Sequence, residues 1–136
     1  MSGVQCQQIK VKKSNGAKQR RTVKAACKVM LERTADRGFV ILCSGSPFSS
    51  VVAAVQKVVG GVLLYTKGGT EKNEATEADV EEWMRRWRRG EEKRVLIADT
   101  FSSRGWEAPA VMVIGKSGTE NLVMRTCGFC FLIKLV

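Results

Sequence analysis

Histidine is absent from all 136 residues of this sequence. Hydrolases that attack through serine or cysteine usually pair the nucleophile with a histidine base, so centres of that kind are excluded. A general base in this chain would have to be a carboxylate or a lysine. The best-placed carboxylates are Asp99, at the end of a predicted strand, and Glu107, in the loop that follows it.

Long apolar runs are absent as well. No stretch reaches the ~20 apolar residues that a membrane span needs, so we expect no membrane as a partner. The five cysteines are scattered and odd in number, and no signal peptide is recognisable. This usage is typical of free thiols in a reducing compartment. We therefore expect an intracellular protein, cytoplasmic or nuclear, that is not secreted.

The sequence offers few ligands for a metal. Cys127 and Cys130 form a Cys-x-x-Cys pair, but there is no second pair, and the pair interrupts an apolar run. Structural zinc sites need four nitrogen or sulfur ligands, and redox pairs lie in a recognisable context of their own. We expect no metal site.

The phosphate-binding loop of P-loop ATPases is also missing. Gly115 and Lys116 follow a predicted strand, but a Walker A motif needs a glycine five residues before its Gly-Lys pair. Ala110 occupies that position. No Asp-Glu pair at a strand end is available to hold magnesium. Lys116 remains a candidate for contact with a phosphate, helped by the backbone N–H groups after Gly115.

Positive charge is what the sequence has in excess. Its 23 basic and 13 acidic residues give a net charge of +10 and a pI near 9.8. Such a field favours polyanions, and nucleic acid, DNA or RNA, is the expected partner. The alternative, a charge that serves only solubility, stays open. Residues 1–18 contain several lysines and no acid, which predicts a flexible basic arm in front of a single α/β domain over residues 19–136.

Strands and helices alternate in the predicted domain. Apolar runs predict five strands, at residues 39–43, 62–65, 94–99, 110–114 and 128–135. Helical spacing predicts helices at residues 19–33 and 76–89, with shorter ones near 51–55 and 119–126. Because each strand is almost uniformly apolar, we expect a three-layer α/β fold with a mostly parallel sheet flanked by helices. Ligands bind such sheets beyond the carboxyl ends of strands, at loops that here begin at Ser44, Asp99 and Gly115.

The predicted helix at residues 76–89 has the clearest pattern. A capping-box-like start precedes an apolar stripe of Val80, Trp83, Met84 and Trp87. That stripe favours core packing over stacking of the tryptophans on bases. Four arginines follow in the second half of the helix, where they either contact phosphate or form an ordinary solvated helix end.

A polar turn joins two predicted strands in the run VLIADTFSSRGWEAP followed by AVMVI, residues 95–114. This stretch resembles motif V of UvrD-like superfamily 1 helicases, in which a polar turn leads to Lys/Arg-Gly-hydrophobic-Glu and then a strand. Arg104, Gly105, Trp106 and Glu107 match that signature. Residues 120–135 resemble motif VI of the same family, where a helix carries an arginine, here Arg125, before a final strand. The usual Thr/Ser-Arg-Ala of motif VI is replaced by Met-Arg-Thr.

The resemblance covers residues 37–136 and implies the C-terminal RecA-like domain, a Rossmann-like fold, of such helicases. It implies that Arg125 is an arginine finger, which neutralises charge on the transferred phosphoryl group of ATP. It also implies that Glu107 accepts a hydrogen bond from the ribose and that Gly105 permits close approach of the backbone. It further implies that Ser102, Ser103 or Arg104 contacts nucleic-acid phosphate. Lys116, the phosphate candidate that follows the predicted strand at residues 110–114, is the fourth residue expected to bind nucleic acid.

The residues of the first RecA-like domain have no counterpart in this sequence. ATP with Mg²⁺ is therefore expected only together with a partner N-terminal RecA-like ATPase domain, in the same chain or another, and the isolated chain is expected to bind no cofactor and to hydrolyse no ATP. A different class of function stays open: a noncatalytic basic α/β module that binds protein partners or RNA with a defunct nucleotide site. An ordinary α/β enzyme acting on an unrelated substrate is a third alternative.

Overall fold

The computed structural model describes residues 5–43, 48–65, 75–99, 110–115 and 129–136. Strands and helices alternate through most of this part of the chain. In order they are β1 (Gln5–Val11), α1 (Gly16–Arg33), β2 (Val40–Cys43), α2 (Phe48–Gln56), β3 (Val62–Tyr65), α3 (Glu77–Arg88), β4 (Val95–Asp99), β5 (Ala110–Gly115) and β6 (Phe129–Leu135). The helix predicted at residues 119–126 lies outside the described residues.

The six described strands form one sheet in the order β1-β6-β5-β2-β4-β3, and every neighbouring pair is parallel. The central strand β2 is buried along its whole length. A strand covered on both faces needs no polar residues, which explains the uninterrupted apolar run at its position in the sequence. The predicted parallel sheet is confirmed.

Side chains alternate between the two faces of the sheet and build two separate cores. On one face, Ile41 of β2 and Ile97 of β4 pack beneath α1 and α2. On the other face, Leu42 and Leu96 pack against Trp83 of α3. Helices therefore cover both faces, and the predicted three-layer α/β architecture is confirmed.

Helix α1 begins three residues before its predicted start. The side chain of Asn15 caps the helix by accepting a hydrogen bond from the backbone N–H of Lys18 at 3.0 Å. The helix ends before Ala35 and Asp36, which take positive φ values of 52° and 63°. Such values are uncommon for residues other than glycine, and here they turn the chain back towards β2.

Helix α3 begins with the capping box that its sequence predicts. The Thr76 hydroxyl accepts a hydrogen bond from the Asp79 N–H at 3.2 Å, and the Asp79 carboxylate accepts one from the Thr76 N–H at 2.8 Å. These hydrogen bonds, first that to the backbone of Thr76, lower the pKa of Asp79. Gly90, with φ of 75°, follows the end of the helix.

Part of the segment predicted as a basic arm belongs to the sheet. Residues Gln5–Val11 form the edge strand β1, which pairs with β6 over seven residues. Val11 is buried in the same core as α1 and α2. An edge strand pairs on one side only and tolerates polar side chains, which is why the glutamines and lysines of this segment do not reveal a strand. Within the described residues, no helix is both long and apolar enough to cross a membrane.

Candidate functional site at the carboxyl edge of the sheet

The strand order brings three strand ends together. Cys43, the last residue of β2, pairs with Asp99 at the end of β4 on one side and with Ile114 of β5 on the other. The chain therefore leaves the sheet from three neighbouring strands at one edge, which we call the carboxyl edge. Parallel α/β sheets bind ligands outside this edge. The three loops that the sequence marks for ligand binding all begin here.

Near the ends of β2, β3 and β4, this edge includes four polar side chains. They are the Cys43 thiol, the Tyr65 hydroxyl at the end of β3, and the carboxylates of Glu77 and Asp99. Burial, with a further contribution from the charge of Asp99, raises the pKa of Cys43 to about 12. Burial, the charges of Glu77 and Asp99, and a hydrogen bond with Glu77 raise the pKa of Tyr65.

These shifts decide which chemistry the described edge offers. A thiol with a pKa near 12 is almost entirely protonated at neutral pH and is a poor nucleophile. The phenol stays neutral as well, because its pKa is raised. Neither the Cys43 thiol nor the Tyr65 phenol is therefore an activated nucleophile, so the described edge does not offer covalent catalysis through either of these two groups.

The site residues named from the sequence lie outside the described residues. Ser102, Ser103, Arg104, Gly105 and Glu107 fall between the end of β4 at Asp99 and the start of β5 at Ala110. Lys116 follows the last residue of β5, and Arg125 precedes β6. The described residues thus establish from which strands these segments depart and at which strands they end.

A groove opens on the α1 side of the same edge. It is lined by residues from both covering helices and from the ends of β5 and β6, among them Gln19, Arg20, Ser50, Ile114 and Leu135. The groove is shallow, with room behind its rim for about one water molecule. It does not enclose a small molecule, but it places the first turns of α1 beside the end of β5.

The opposite edge of the sheet carries a polar cluster that the sequence did not reveal. Glu92 is only 2% exposed, yet its carboxylate is bound on both oxygens by the Arg94 guanidinium, at 2.8 and 3.1 Å. The backbone N–H groups of Lys93 and Arg94 donate to it as well. Burial alone would raise the pKa of Glu92, but hydrogen bonds from Arg94 and the charges of Arg94 and Arg86 hold that pKa below its ordinary value.

The two tryptophans of α3 complete this cluster. Trp83 is buried and donates its indole N–H to the Arg94 carbonyl at 3.0 Å. Trp87 donates to the Gly38 carbonyl, and the Arg37 guanidinium stacks on its ring at 3.9 Å. Both indoles are thus used inside the protein, so the predicted core packing of the stripe is confirmed. Acidic residues in loops are usually exposed to solvent, so nothing in the sequence predicts that Glu92 is buried.

Two arginines near the end of α3 have acidic neighbours. Arg85 pairs with Glu82 at 2.6 Å, and Arg86 lies 3.9 Å from Glu92. The arginine-rich end of α3 therefore serves the protein's own electrostatics at least in these two positions. Of the described residues, none form a group of three or more His, Cys, Asp or Glu side chains that could hold a metal ion.

The described residues thus form a three-layer parallel α/β protein. Its candidate ligand site lies at the carboxyl edge of the sheet, and the cluster of Glu92, Arg94 and the two tryptophans at the opposite edge is structural. Comparisons of the sequence with models of protein families and with curated proteins gave no match.

Proposed function

We propose that this chain is a helicase-like C-terminal RecA-like domain that binds nucleic acid and supplies nucleotide-contacting residues to a partner ATPase domain. On this proposal the chain does not hydrolyse ATP alone. The observation that carries it is the adjacency of the ends of β4, β2 and β5. The segments that resemble helicase motifs depart from two of these three strands.

The proposal assigns separate tasks to the two segments. Between β4 and β5, Glu107 binds the ribose, Gly105 lets the backbone approach the nucleotide, and Arg104 contacts nucleic-acid phosphate. After β5, Lys116 contacts phosphate and Arg125 neutralises charge in the transition state. A second domain must supply the phosphate-binding loop and the Mg²⁺ ligands, because this sequence contains neither motif.

Nucleic-acid binding is tested with a double variant, Arg104→Ala with Lys116→Ala. If both residues contact phosphate in a single strand, the slope of log K against log salt falls by about 1.4, since each contact contributes about 0.7. The control is Lys57→Ala, which removes an exposed charge beyond the end of α2. Fluorescence anisotropy with labelled single-stranded DNA and RNA measures the slopes. Equal slopes in wild type and double variant contradict the assignment.

The nucleotide role is tested in a mixture with an N-terminal RecA-like domain that carries its own Walker A site. We expect the wild-type chain to stimulate ATP hydrolysis and Arg125→Ala to lose that stimulation by about 1000-fold or more, as for other arginine fingers. Nucleic-acid binding that persists with no effect of nucleotide, of Arg125→Ala or of Glu107→Gln would favour the noncatalytic interaction module. Turnover of ATP by the isolated chain would contradict the proposal.

A further inference from the structure

The positive charge of this protein is concentrated in its first two elements. Residues 1–31 contain eight of the basic residues and no aspartate or glutamate. They therefore carry +8 of the net charge of +10, whereas the remaining residues are close to balance. The basic residues of this region are Lys10, Lys12, Lys13, Lys18, Arg20, Arg21, Lys24 and Lys28.

Half of this charge lies on the face of α1 that points away from the sheet. The buried face of α1 consists of Val23, Ala26, Cys27 and Met30. The opposite side holds a row of basic residues, three or four positions apart, that we call the basic face. It is formed by Lys18, Arg21, Lys24 and Lys28. Three of these are exposed and Lys24 is half-buried. At 1.5 Å per residue, the row is about 15 Å long.

The basic face is unfavourable for the helix that carries it. Like charges three or four residues apart repel each other, and the first turn of α1 has no acid to complement the positive end of the helix dipole. Helix α3 has the reverse arrangement, with Glu77 and Asp79 in its first turn and arginines in its last. The ion pairs between described residues all lie on α3, Glu92 and Arg94, and none involves the basic face. Fold stability therefore does not explain the charges of the basic face.

The distribution of apolar residues shows that a lipid surface fits the basic face less well than a soluble polyanion does. A helix that lies on a membrane inserts an apolar face among the lipids. The apolar face of α1 is 0–2% exposed and is used in the core. The one large exposed hydrophobic residue among those described is Val136. A row of four cations with no large exposed hydrophobic residue on the same helix fits an extended polyanion with regular charges, such as the phosphate backbone of a nucleic acid.

We infer that the basic face of α1 is a second nucleic-acid contact surface of this protein, which binds the phosphate backbone through Lys18, Arg21, Lys24 and Lys28. The groove described above places Arg20 beside Ile114, one residue before the end of β5. A strand bound at the carboxyl edge can therefore continue onto α1. The inference takes its ligand class from the proposed function but rests on different residues.

The test compares two quadruple variants of the full chain that lose the same charge. The first replaces Lys18, Arg21, Lys24 and Lys28 with Gln. The matched control replaces four exposed bases elsewhere, Lys57, Arg88, Arg89 and Lys93, with Gln. Anisotropy with a labelled single-stranded oligonucleotide of about 20 nucleotides, long enough for several binding sites, measures affinity across a salt series. Circular dichroism melting confirms that both variants fold.

We expect the α1 variant to weaken binding at least tenfold and to lower the salt slope by up to about 2.8, because four contacts of about 0.7 each are removed. The control is expected to keep most of the slope, and the α1 variant to melt no lower than wild type. An equal loss of slope in both variants means that only net charge matters and overturns the inference. An unchanged slope in the α1 variant also overturns it.

The outcomes separate this inference from the proposed function. If the α1 variant binds normally and Arg104→Ala with Lys116→Ala does not, the basic face is not a contact surface and the carboxyl edge is. The reverse result supports the basic face as a contact surface and contradicts nucleic-acid binding at the carboxyl edge. If the wild type binds phosphatidylserine vesicles but neither DNA nor RNA, both are overturned in favour of a lipid surface.

Discussion

Glu92 is held ionised in a buried position, so it links stability to pH. Its folded-state pKa lies below the ordinary value of 4.5 because Arg94 and neighbouring N–H groups stabilise the carboxylate more than burial destabilises it. A lowered carboxyl pKa contributes stability above the unfolded-state value, and that contribution is lost as the pH falls through the folded-state value.

We expect Glu92→Gln to lower the free energy of unfolding by about 1–3 kcal/mol at neutral pH, because hydrogen bonds to a charged acceptor are weakened. The difference from wild type is expected to begin to shrink near pH 4.5, where the unfolded-state carboxyl takes up a proton, and to be lost as the pH falls through the lower pKa of the folded state. Urea titrations over a pH series measure it. Glu91→Gln, at an exposed neighbour, is the control. A difference that does not change with pH would contradict the assignment.

Gly38 is required by close packing at the same edge. A Cβ atom there would lie 2.1 Å from the carbonyl oxygen of Arg94, and backbone cannot move aside as a flexible side chain can. The Gly38 N–H also donates to the Glu92 carbonyl at 2.9 Å.

We expect Gly38→Ala to destabilise the protein by about 1–3 kcal/mol or more, as overpacking does. Gly60→Ala is the matched control, because no atom lies within 4 Å of the added carbon. We expect that change to be neutral or to stabilise by up to about 1 kcal/mol. Chemical denaturation of both variants measures the contrast, and equal midpoints would show that the backbone relaxes around the clash.

At the scale of elements, the capping box fixes where α3 begins and thereby where Trp83 and Trp87 lie relative to the sheet. Thr76→Ala removes the side-chain acceptor for the Asp79 N–H, and we expect it to cost about 1 kcal/mol. Thr76→Ser keeps the hydroxyl and is expected to stay within a few tenths of wild type. Thermal melting distinguishes them. Equal loss in both variants would assign the effect to the methyl group instead of the cap.

Elements with a complete local pattern could be predicted from the sequence. The bounds of β3 are as predicted, and the bounds of β4 and α3 differ from the predicted ones by no more than one residue at any end. Apolar runs and capping residues are local signals, which is why these bounds were predictable. Strand β1 was missed because its pairing with β6 depends on residues far away in the chain. The bonds from Arg94 to Glu92 were missed for another reason: a glutamate in a loop shows no burial in its sequence.

The candidate site was predictable only as a set of strand ends. Local pattern indicated that polar loops follow Cys43, Asp99 and Gly115. It could not indicate that β4 and β5 lie on either side of β2, because strand order is set by long-range packing. The basic outer side of α1 was predictable, because Val23, Ala26, Cys27 and Met30 recur at helical spacing while Arg21, Lys24 and Lys28 fall on other faces of the helix.

At the scale of the whole molecule, β1 is expected to contribute to global stability. Deletion of residues 1–11 removes seven residue pairs with β6 and the burial of Val11. We expect a loss of at least about 2 kcal/mol from the apolar burial alone. Deletion of residues 1–4 keeps β1 and serves as the control. Urea denaturation measures both. A midpoint unchanged by the longer deletion would support the basic arm that the sequence predicts.

The pairing of β1 with β6 also has a consequence for the order of folding. Gln5 pairs with Phe129, 124 residues later, and the backbone of Val136 exchanges hydrogen bonds with Val11 and Lys13 at 2.9 Å. Contacts at such separation close large loops, which slows folding. On the ribosome, β1 emerges before the other described strands and must wait for β6, the last of them. Because β1 and β6 are parallel, residue 136 lies beside Val11 and not beside Gln5, so a linker from residue 136 to residue 5 must be a crossover of about a dozen residues or more. A permutant with such a linker, opened at another loop, would bring this pairing much closer in sequence and should fold faster.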